Sequence, residues 1–201
     1  MRGMLQPSEM HTRLKENPML TSERLQLRPV CDDDLEQVLA WLHDPDVNVT
    51  LAMRAPVSMS EERKWLASLD GSKTDKVFTI FRTGDDDGTG DEAIGGIGLH
   101  AIDAFNGSCT CGLYVGRKDL WGRGYATEAL QLVLAFAFGN LRLHRVELEV
   151  FSTNDAAIRV YEKVGFVREG VRRDALYKNG VYVDHVVMSV LEPEWRARQP
   201  S

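Results

Sequence analysis

Cysteine is scarce in this chain. Only Cys31, Cys109 and Cys111 are present, and an odd count leaves one thiol unpaired in any disulfide scheme. The C-T-C spacing of the last two is not that of a structural zinc site, and no His, Cys or carboxylate cluster occurs at metal-ligand spacing, so reduced thiols and no metal are expected. No run of about 18 apolar residues appears, which argues against a membrane-spanning helix. Residues 1–18 carry Arg2, Glu9, Arg13, Lys15 and Glu16 and lack the apolar stretch of a secretory leader. A cytoplasmic protein with a flexible N-terminal extension over residues 1–20 is therefore expected. Positive charge is also short, with 24 Lys+Arg against 30 Asp+Glu and a formal net charge of −6. That is the wrong sign for affinity built on neutralising nucleic-acid phosphates, so no nucleic acid is expected as a partner and no membrane either.

What is present suits one soluble domain. A chain of 201 residues with 43% hydrophobic and 27% charged residues is long enough for one substantial core and has no low-complexity tract. We expect one domain over residues 21–192 and a short C-terminal tail over 193–201. Leu25 and Leu27 alternate with polar residues as an opening strand. Asp32 or Asp33 is placed to cap a helix bearing Leu35, Val38, Leu39 and Leu42 at helical spacing. Ser58 and Glu61 form the S-x-x-E pattern of a capping box, ahead of a stripe of Trp65, Leu66 and Leu69. The β-rich runs KVFTIFR and EAIGGIGLHAI flank a polar segment, TGDDDGTGDE, that reads as a solvated hairpin loop. CTCGLYVG is a further strand. A helix follows from Tyr125, with apolar positions at Ala126, Ala129, Leu130, Val133, Leu134, Ala137 and Phe138 and a stop at Gly139-Asn140. The rest reads as a strand HRVELEVF, a short helix closed by Gly165, and two strands around the Asn179-Gly180 turn. This order is that of a mixed α/β domain.

The stretch LWGRGYATEAL, residues 120–130, introduces a helix with two glycines. A helix N-terminus exposes unsatisfied N–H groups and the positive end of the dipole. Glycines let an anion come close to it. Gly122 and Gly124 suit that role, and Arg117, Lys118 and Arg123 add positive charge in an otherwise acidic chain. A tight strand-to-helix turn is the plainer alternative. A dinucleotide fingerprint would need Gly or Ala where Thr127 stands, and a Walker A loop would need a following G-K-[ST].

LWGRGYATEAL resembles the coenzyme A pyrophosphate loop of the GNAT superfamily of N-acetyltransferases, with Trp121 in place of the usual Gln or Arg ahead of the glycines. A second segment, LEVFSTNDAAIRVYEKVGF, is similar to the same family's N-x-x-A-I-x-V-Y-x-K-x-G-F signature. Asn154 follows Gly124 by 30 positions, enough for one helix and one strand. Within the family the likeness is to ribosomal-protein N-terminal and polyamine acetyltransferases, and it extends from about Thr21 to Leu191. The resemblance implies a GNAT fold: a mixed, mostly antiparallel central sheet flanked by helices, with splayed central strands that hold the cofactor. It implies acetyl-CoA as acyl donor, bound by Gly122, Arg123, Gly124, Tyr125, Ala126 and Thr127, with Leu113, Tyr114 and Val115 along the pantetheine and Asn154 hydrogen-bonded to it. Asn154 is also a natural helix N-cap.

For the chemistry, the resemblance implies Tyr161 as the acid that protonates the departing thiolate, a task within reach of a neutral phenol. Tyr161 equally lies on one apolar helical face with Ala157, Ile158 and Val164, so a core role stays open. Glu149, 12 residues earlier, matches a proposed base, while a solvated strand carboxylate is the alternative and Glu147 a competitor on the same face. His100 could assist, or be structural. The function implied is acetyl transfer from acetyl-CoA to a primary amine, either a protein N-terminal amine or a small polyamine-like acceptor, by direct attack on the thioester. A non-catalytic acyl-CoA-sensing module and an antibiotic or amino-acid acetyltransferase are the alternatives, and a homodimer is possible.

Overall fold

The computed structural model describes residues 20–53, 56–83 and 91–199. Nearly all of the expected N-terminal extension and most of the polar loop at 83–92 thus lie outside the described residues. An eight-stranded sheet is formed by β1 (Leu20–Thr21), β2 (Leu25–Pro29), β3 (Lys76–Arg82), β4 (Glu92–Asp103), β5 (Ser108–Val115), β6 (Arg145–Phe151), β7 (Val167–Lys178) and β8 (Val181–Leu191). Its order is β1-β2-β3-β4-β5-β6-β8-β7. The helices are α1 (Leu35–His43), α2 (Pro45–Asn48), α3 (Met59–Leu69), α4 (Tyr125–Ala135), α5 (Asp155–Val164) and α6 (Glu192–Arg196). The sheet is mixed and mostly antiparallel, as expected. Its one parallel pair is β5 with β6, joined by the long α4 crossover that parallel neighbours require.

That parallel pair is brief. Ser108, Cys109 and Thr110 register with Arg145, Val146 and Glu147. Beyond them β5 stays on β4, from Cys111 opposite Leu99 to Val115 opposite Gly95. β6 stays on β8, from Leu148 opposite Met188 to Phe151 opposite His185. Each strand keeps its outer partner, and a wedge opens between them.

The core lies against one face of this sheet. Ala129, Leu130, Val133 and Leu134 of α4 and Ile158 and Val164 of α5 are buried in one cluster with Leu99, Val146, Leu148, Met188 and Val190. The stop expected at Gly139-Asn140 is a π turn over Phe136–Asn140, closed by Leu141 N–H on the Phe136 carbonyl at 3.0 Å. Residues expected in the tail form α6, whose Trp195 packs on Phe138 with ring centroids 5.4 Å apart. The final hairpin turns at Asn179 (φ +50°) and Gly180 (φ +87°), the paired positive φ of a two-residue hairpin turn.

Two local expectations are corrected. The cap before α1 is neither Asp32 nor Asp33: the chain makes a 3-10 turn over Asp32–Asp34 with Cys31 at the N-cap position. The Asp34 carboxylate accepts from Cys31 N–H at 3.0 Å and from the Thr79 hydroxyl at 2.7 Å, which ties the turn to β3. The capping box of α3 is present, Ser58 Oγ accepting from Glu61 N–H at 3.2 Å and Glu61 Oε2 from Ser58 N–H at 2.9 Å. Its expected buried stripe is not: Trp65, Leu66 and Leu69 are half-buried and Glu62 is buried. The reason is that this face of α3 roofs a cavity instead of meeting the core.

α1 is anchored by Trp41, which is buried and fills the space where a Gly116 side chain would lie. A Cβ there would stand 2.1 Å from the Trp41 ring, whereas one at Gly112 would meet nothing within 4 Å. Gly116→Ala should therefore lower unfolding free energy by about 1–3 kcal/mol in urea titrations, the usual cost of overpacking, while Gly112→Ala leaves it unchanged or raised. Equal midpoints for the two variants would refute the packing argument.

Candidate active site

The loop before α4 carries Gly122 at φ +74° and Gly124 at φ +87°. Gly124 is the N-cap of α4 and lies in the left-handed region, where a Cβ is costly. Neighbours do not demand the glycines: a Cβ at Gly122 would meet nothing within 4 Å and one at Gly124 only Arg24 Nη2 at 3.7 Å. The space outside the loop is open. The first i→i−4 bond of α4 runs from Glu128 N–H to the Gly124 carbonyl at 3.1 Å, so Tyr125, Ala126 and Thr127 precede it with N–H groups free of that ladder. Arg24 fixes the loop from β2's side. Its Nε donates to Glu128 at 2.9 Å and its Nη1 to the Arg123 carbonyl at 3.3 Å, and its guanidinium lies 4.8 Å over the Tyr125 ring. Trp121 closes the other side, its Nε1 donating to the Val115 carbonyl at 2.8 Å.

The loop forms one wall of a cleft of about 530 Å³. Leu113, Tyr114 and Val115 of β5 form a second wall, and Asn154, Ala157, Arg159, Val160, Tyr161 and Lys163 from the start and face of α5 form a third. Of the loop residues named from sequence, Gly122, Gly124, Tyr125, Ala126 and Thr127 line it, while Arg123 is exposed and does not. A left-handed loop with open space before free N–H groups fits a diphosphate, and the narrow wedge beyond it fits an extended arm. Asn154 caps α5, its Oδ1 accepting from Ala157 N–H at 3.1 Å, and it also lines the cleft.

The source of positive charge differs from the expectation. Arg117 pairs with Glu92 and, at 2.8 Å, with Asp119. Lys118 pairs with Asp44 at 2.8 Å and Asp46 at 2.7 Å. Both cations are spent on ion pairs that hold the loop to β4 and α2, and neither lines the cleft. Arg159 and Lys163 line it instead, and among the described residues neither has an ion-pair partner. Their i, i+4 spacing on α5 puts them on one face, a signal present in the sequence and overlooked.

On the other side of the wedge lies a second cleft of about 730 Å³, between the sheet and α1–α3. The two meet at Thr50, Leu113, Tyr114, Asn154, Ala157 and Tyr161, which line both. Among the described residues the larger cleft is lined by Glu62, Glu147 and Glu149 but by no Lys or Arg. Glu62 is 8% exposed, has no ion-pair partner among the described residues, and burial pushes its carboxyl above the ordinary value. Glu147 is held by Arg145 at 3.0 Å.

Glu149 Oε2 lies 2.8 Å from His185 Nδ1, and its Oε1 meets Arg172. Partial burial pushes the Glu149 carboxyl up, but the hydrogen bonds from His185 and Arg172 outweigh it and hold the carboxyl below its ordinary value. Tyr161 is buried with its ring 5.6 Å edge-on to Phe166. Burial, with the Cys111 thiol nearby, raises its phenol pKa, so it stays protonated at neutral pH. Core packing and a place at the junction thus hold together for Tyr161. His100 lies on the cleft wall with Nδ1 3.1 Å from Asp75 Oδ1. Burial pushes the Cys109 thiol up to about 12, and no disulfide joins the three cysteines. Among the described residues there is no group of three or more His, Cys, Asp or Glu that could hold a metal, and no helix is long and apolar enough to cross a membrane.

Two clefts that meet end to end through a gap between parallel strands, one shaped for a diphosphate and one acidic, define a group-transfer enzyme of the splayed-sheet N-acyltransferase class. Residues 24–167 match the acetyltransferase (GNAT) domain family, and the chain belongs to it. It is 30% identical over 176 residues to the uncharacterized N-acetyltransferase YoaA of Bacillus subtilis (strain 168), covering 88% of this chain and 98% of that one. Over 77 residues it is 34% identical to the spermidine N(1)-acetyltransferase of Vibrio cholerae, covering 38% of this chain and 44% of that one. Among solved structures, that of Vibrio cholerae spermidine N-acetyltransferase with CoA and spermine superposes with a TM-score of 0.79 at 22% identity, covering 87% of this chain and 99% of that one. The fold is the GNAT fold, and the protein is an acetyl-CoA-dependent N-acetyltransferase.

If Arg159 and Lys163 supply the positive charge of the smaller cleft, the double variant Arg159→Ala/Lys163→Ala should bind acetyl-CoA about tenfold more weakly by calorimetry, about 1.4 kcal/mol. The loss should shrink as ionic strength rises. Neutralising Arg117 or Lys118 should change the affinity much less. The reverse pattern would restore the charge assignment made from sequence.

Proposed function

We propose that the acceptor is a small polycationic amine of the polyamine type, and that acetyl transfer occurs where the two clefts meet. The observation that carries this reading is the acidic lining of the larger cleft, above all Glu62, a buried carboxylate without a cationic partner among the described residues. An unpaired buried carboxylate is costly, and an entering ammonium group relieves that cost. Glu149 at the wedge then faces the reacting amine, while Glu62 holds a second ammonium group of the same acceptor. A protein N-terminus offers one such charge, a polyamine several.

In this reading Gly122, Gly124 and the first turn of α4 hold the diphosphate of acetyl-CoA, with Arg159 and Lys163 beside it. Leu113, Tyr114 and Val115 flank the pantetheine. Cys111–Tyr114 have lost β6 as a partner, which leaves backbone groups on that edge to orient the arm and polarise the thioester carbonyl. Asn154 joins them from the head of α5. Acetyl-CoA brings an activated acetyl group with a thiol leaving group. The chain's own part is to hold the amine, remove its proton on the Glu149 side and donate a proton from Tyr161 Oη to the departing sulfur. The homodimer and a reducing cytoplasmic setting belong to the same proposal. Light scattering of the purified chain should then give twice 22.6 kDa.

Release of CoA thiol should be measured across spermidine, simple diamines, amino acids, aminoglycosides and short peptides with Ser or Ala N-termini. Spermidine or a diamine should give the highest kcat/KM, and Glu62→Gln should raise KM for spermidine more than for a monoamine. A preference for the peptides would move the assignment to protein N-termini. Silence across the panel from protein that binds acetyl-CoA would favour a sensing module. Tyr161→Phe should lower kcat about 10²-fold, the usual scale of general acid catalysis, with acetyl-CoA affinity within twofold. Unchanged turnover would remove Tyr161 as the acid.

A further inference from the structure

His185 was not singled out by any motif, yet it is the best-placed imidazole in the molecule. It is 9% exposed and lies on β8 directly opposite Phe151 of β6, with the two rings 5.1 Å apart and tilted by 32°. Its Nδ1 is 2.8 Å from Glu149 Oε2. Its Nε2 is buried and has no hydrogen-bond partner among the described residues, although the ring lines the acceptor cleft. A buried polar atom left unpaired carries a penalty of about 1–3 kcal/mol, so this one calls for an explanation.

The two ring nitrogens divide the answer between them. A carboxylate can only accept, so Nδ1 donates to Glu149 and carries the proton of a neutral ring. Nε2 is then an acceptor with a lone pair and no donor. The ligand that satisfies it must bring an N–H or O–H, and the acceptor's ammonium is such a donor. Glu149 by itself is poorly suited to take that proton. Its carboxyl is held below its ordinary value, whereas alkyl ammonium groups have pKa values of about 10. An imidazole's reference value lies about two units above that of a carboxylate, which narrows the gap.

We propose that the proton acceptor for the amine is His185 Nε2, with Glu149 as the positioning residue that fixes its tautomer and supports the imidazolium. This deepens the function proposed above and rests on it. The ammonium gives one proton to Nε2. The freed nitrogen bonds to the thioester carbonyl carbon, the carbon–sulfur bond breaks, and the sulfur takes a proton from Tyr161 Oη. The second nitrogen proton, released as the amide forms, returns to Tyr161 through water, and the imidazolium gives its proton to solvent. One ammonium and one thioester yield one amide, one thiol and one proton.

Charged groups face the ring from the neighbouring strands. Glu149 faces it from β6, and Arg172, opposite His185 in the β7 register, binds the other oxygen of that carboxylate. The Lys178 ammonium lies 5.7 Å over the Phe151 ring. Asp184 is turned to Asp174 N–H at 2.8 Å, and Glu147 and Glu62 lie on the cleft wall.

The test is His185→Asn, which keeps a side-chain N–H able to reach Glu149 and removes the Nε2 position. At pH 7 kcat should fall about 10²-fold, with acetyl-CoA affinity unchanged. The deficit should shrink as pH rises toward the amine's own pKa, because free amine then needs no acceptor. Nitrogen NMR of the wild-type imidazole should show the proton on Nδ1, and adding spermidine should shift Nε2. A folded His185→Asn protein with wild-type kcat and pH profile would overturn the proposal, as would a resting tautomer with the proton on Nε2. If His185→Asn does not fold, the tautomer and the spermidine shift decide. If the wild type transfers acetyl to no amine, the reading of the function fails separately, and an absent Nε2 shift with spermidine would remove His185 as well.

Discussion

Between β5 and β6 the sheet is held by the register of Ser108–Thr110 on Arg145–Glu147 and by nothing further along. Every feature of the site follows from that early separation. A continuous parallel pairing would bury the edges of Cys111–Val115 and Leu148–Phe151 in hydrogen bonds and seal one cleft from the other. Because each strand remains with its outer neighbour, the gap costs no cohesion of the sheet as a whole. It creates a passage whose walls are backbone on the β5 side and the head of α5 on the other. The passage is narrow enough for Tyr161 to line both of its ends, so a side chain packed in the core also reaches the junction.

Charge is distributed with equal economy. Near the glycine loop the obvious cations, Arg117 and Lys118, are taken up by Glu92, Asp119, Asp44 and Asp46. Those pairs are largely exposed and contribute modestly to stability, but they join the loop to β4 and to the α1–α2 corner. Of the charged residues lining the clefts, those without an ion-pair partner among the described residues are Arg159 and Lys163 at one and Glu62 at the other. Such a distribution would sort an anionic donor and the proposed cationic acceptor to opposite ends of the same passage before any specific contact forms.

Much of this was legible in the sequence because it is local. The positive φ of Gly122 and Gly124, the cap at Asn154, the capping box at Ser58 and Glu61 and the turn at Asn179-Gly180 each depend on a few consecutive residues. Leu113–Val115 and Tyr161, named through the GNAT resemblance, line the clefts. What escaped was set by strand pairing. Nothing near Asp184-His185-Val186 reports that β8 inserts between β6 and β7 and brings His185 to Glu149, 36 positions away. The same holds for Trp41, whose fit against Gly116 joins α1 to the end of β5, and for Arg24, which reaches across to Glu128. The cationic reading of Arg117 and Lys118 erred for the same reason, since their acidic partners lie far off in the chain. The buried stripe expected on α3 erred differently, because helical periodicity shows which face turns inward and not whether that face meets a core or a cavity.

The roof of the larger cleft depends on a further long-range contact. Lys178, at the tip of the β7–β8 hairpin, donates to the Asn48 carbonyl at 2.5 Å and to the Leu51 carbonyl, and burial pulls its ammonium pKa down. Those carbonyls close the end of α2, where a cation is favoured by the helix dipole and by otherwise unsatisfied acceptors. Thr50, Leu51 and Met53, which follow, line the cleft. The hairpin that carries His185 therefore also holds the loop opposite it, so the proposed proton acceptor and the roof over the acceptor are parts of one mechanical unit. The loop that roofs the larger cleft and the position of His185 are thus linked through the β7–β8 hairpin.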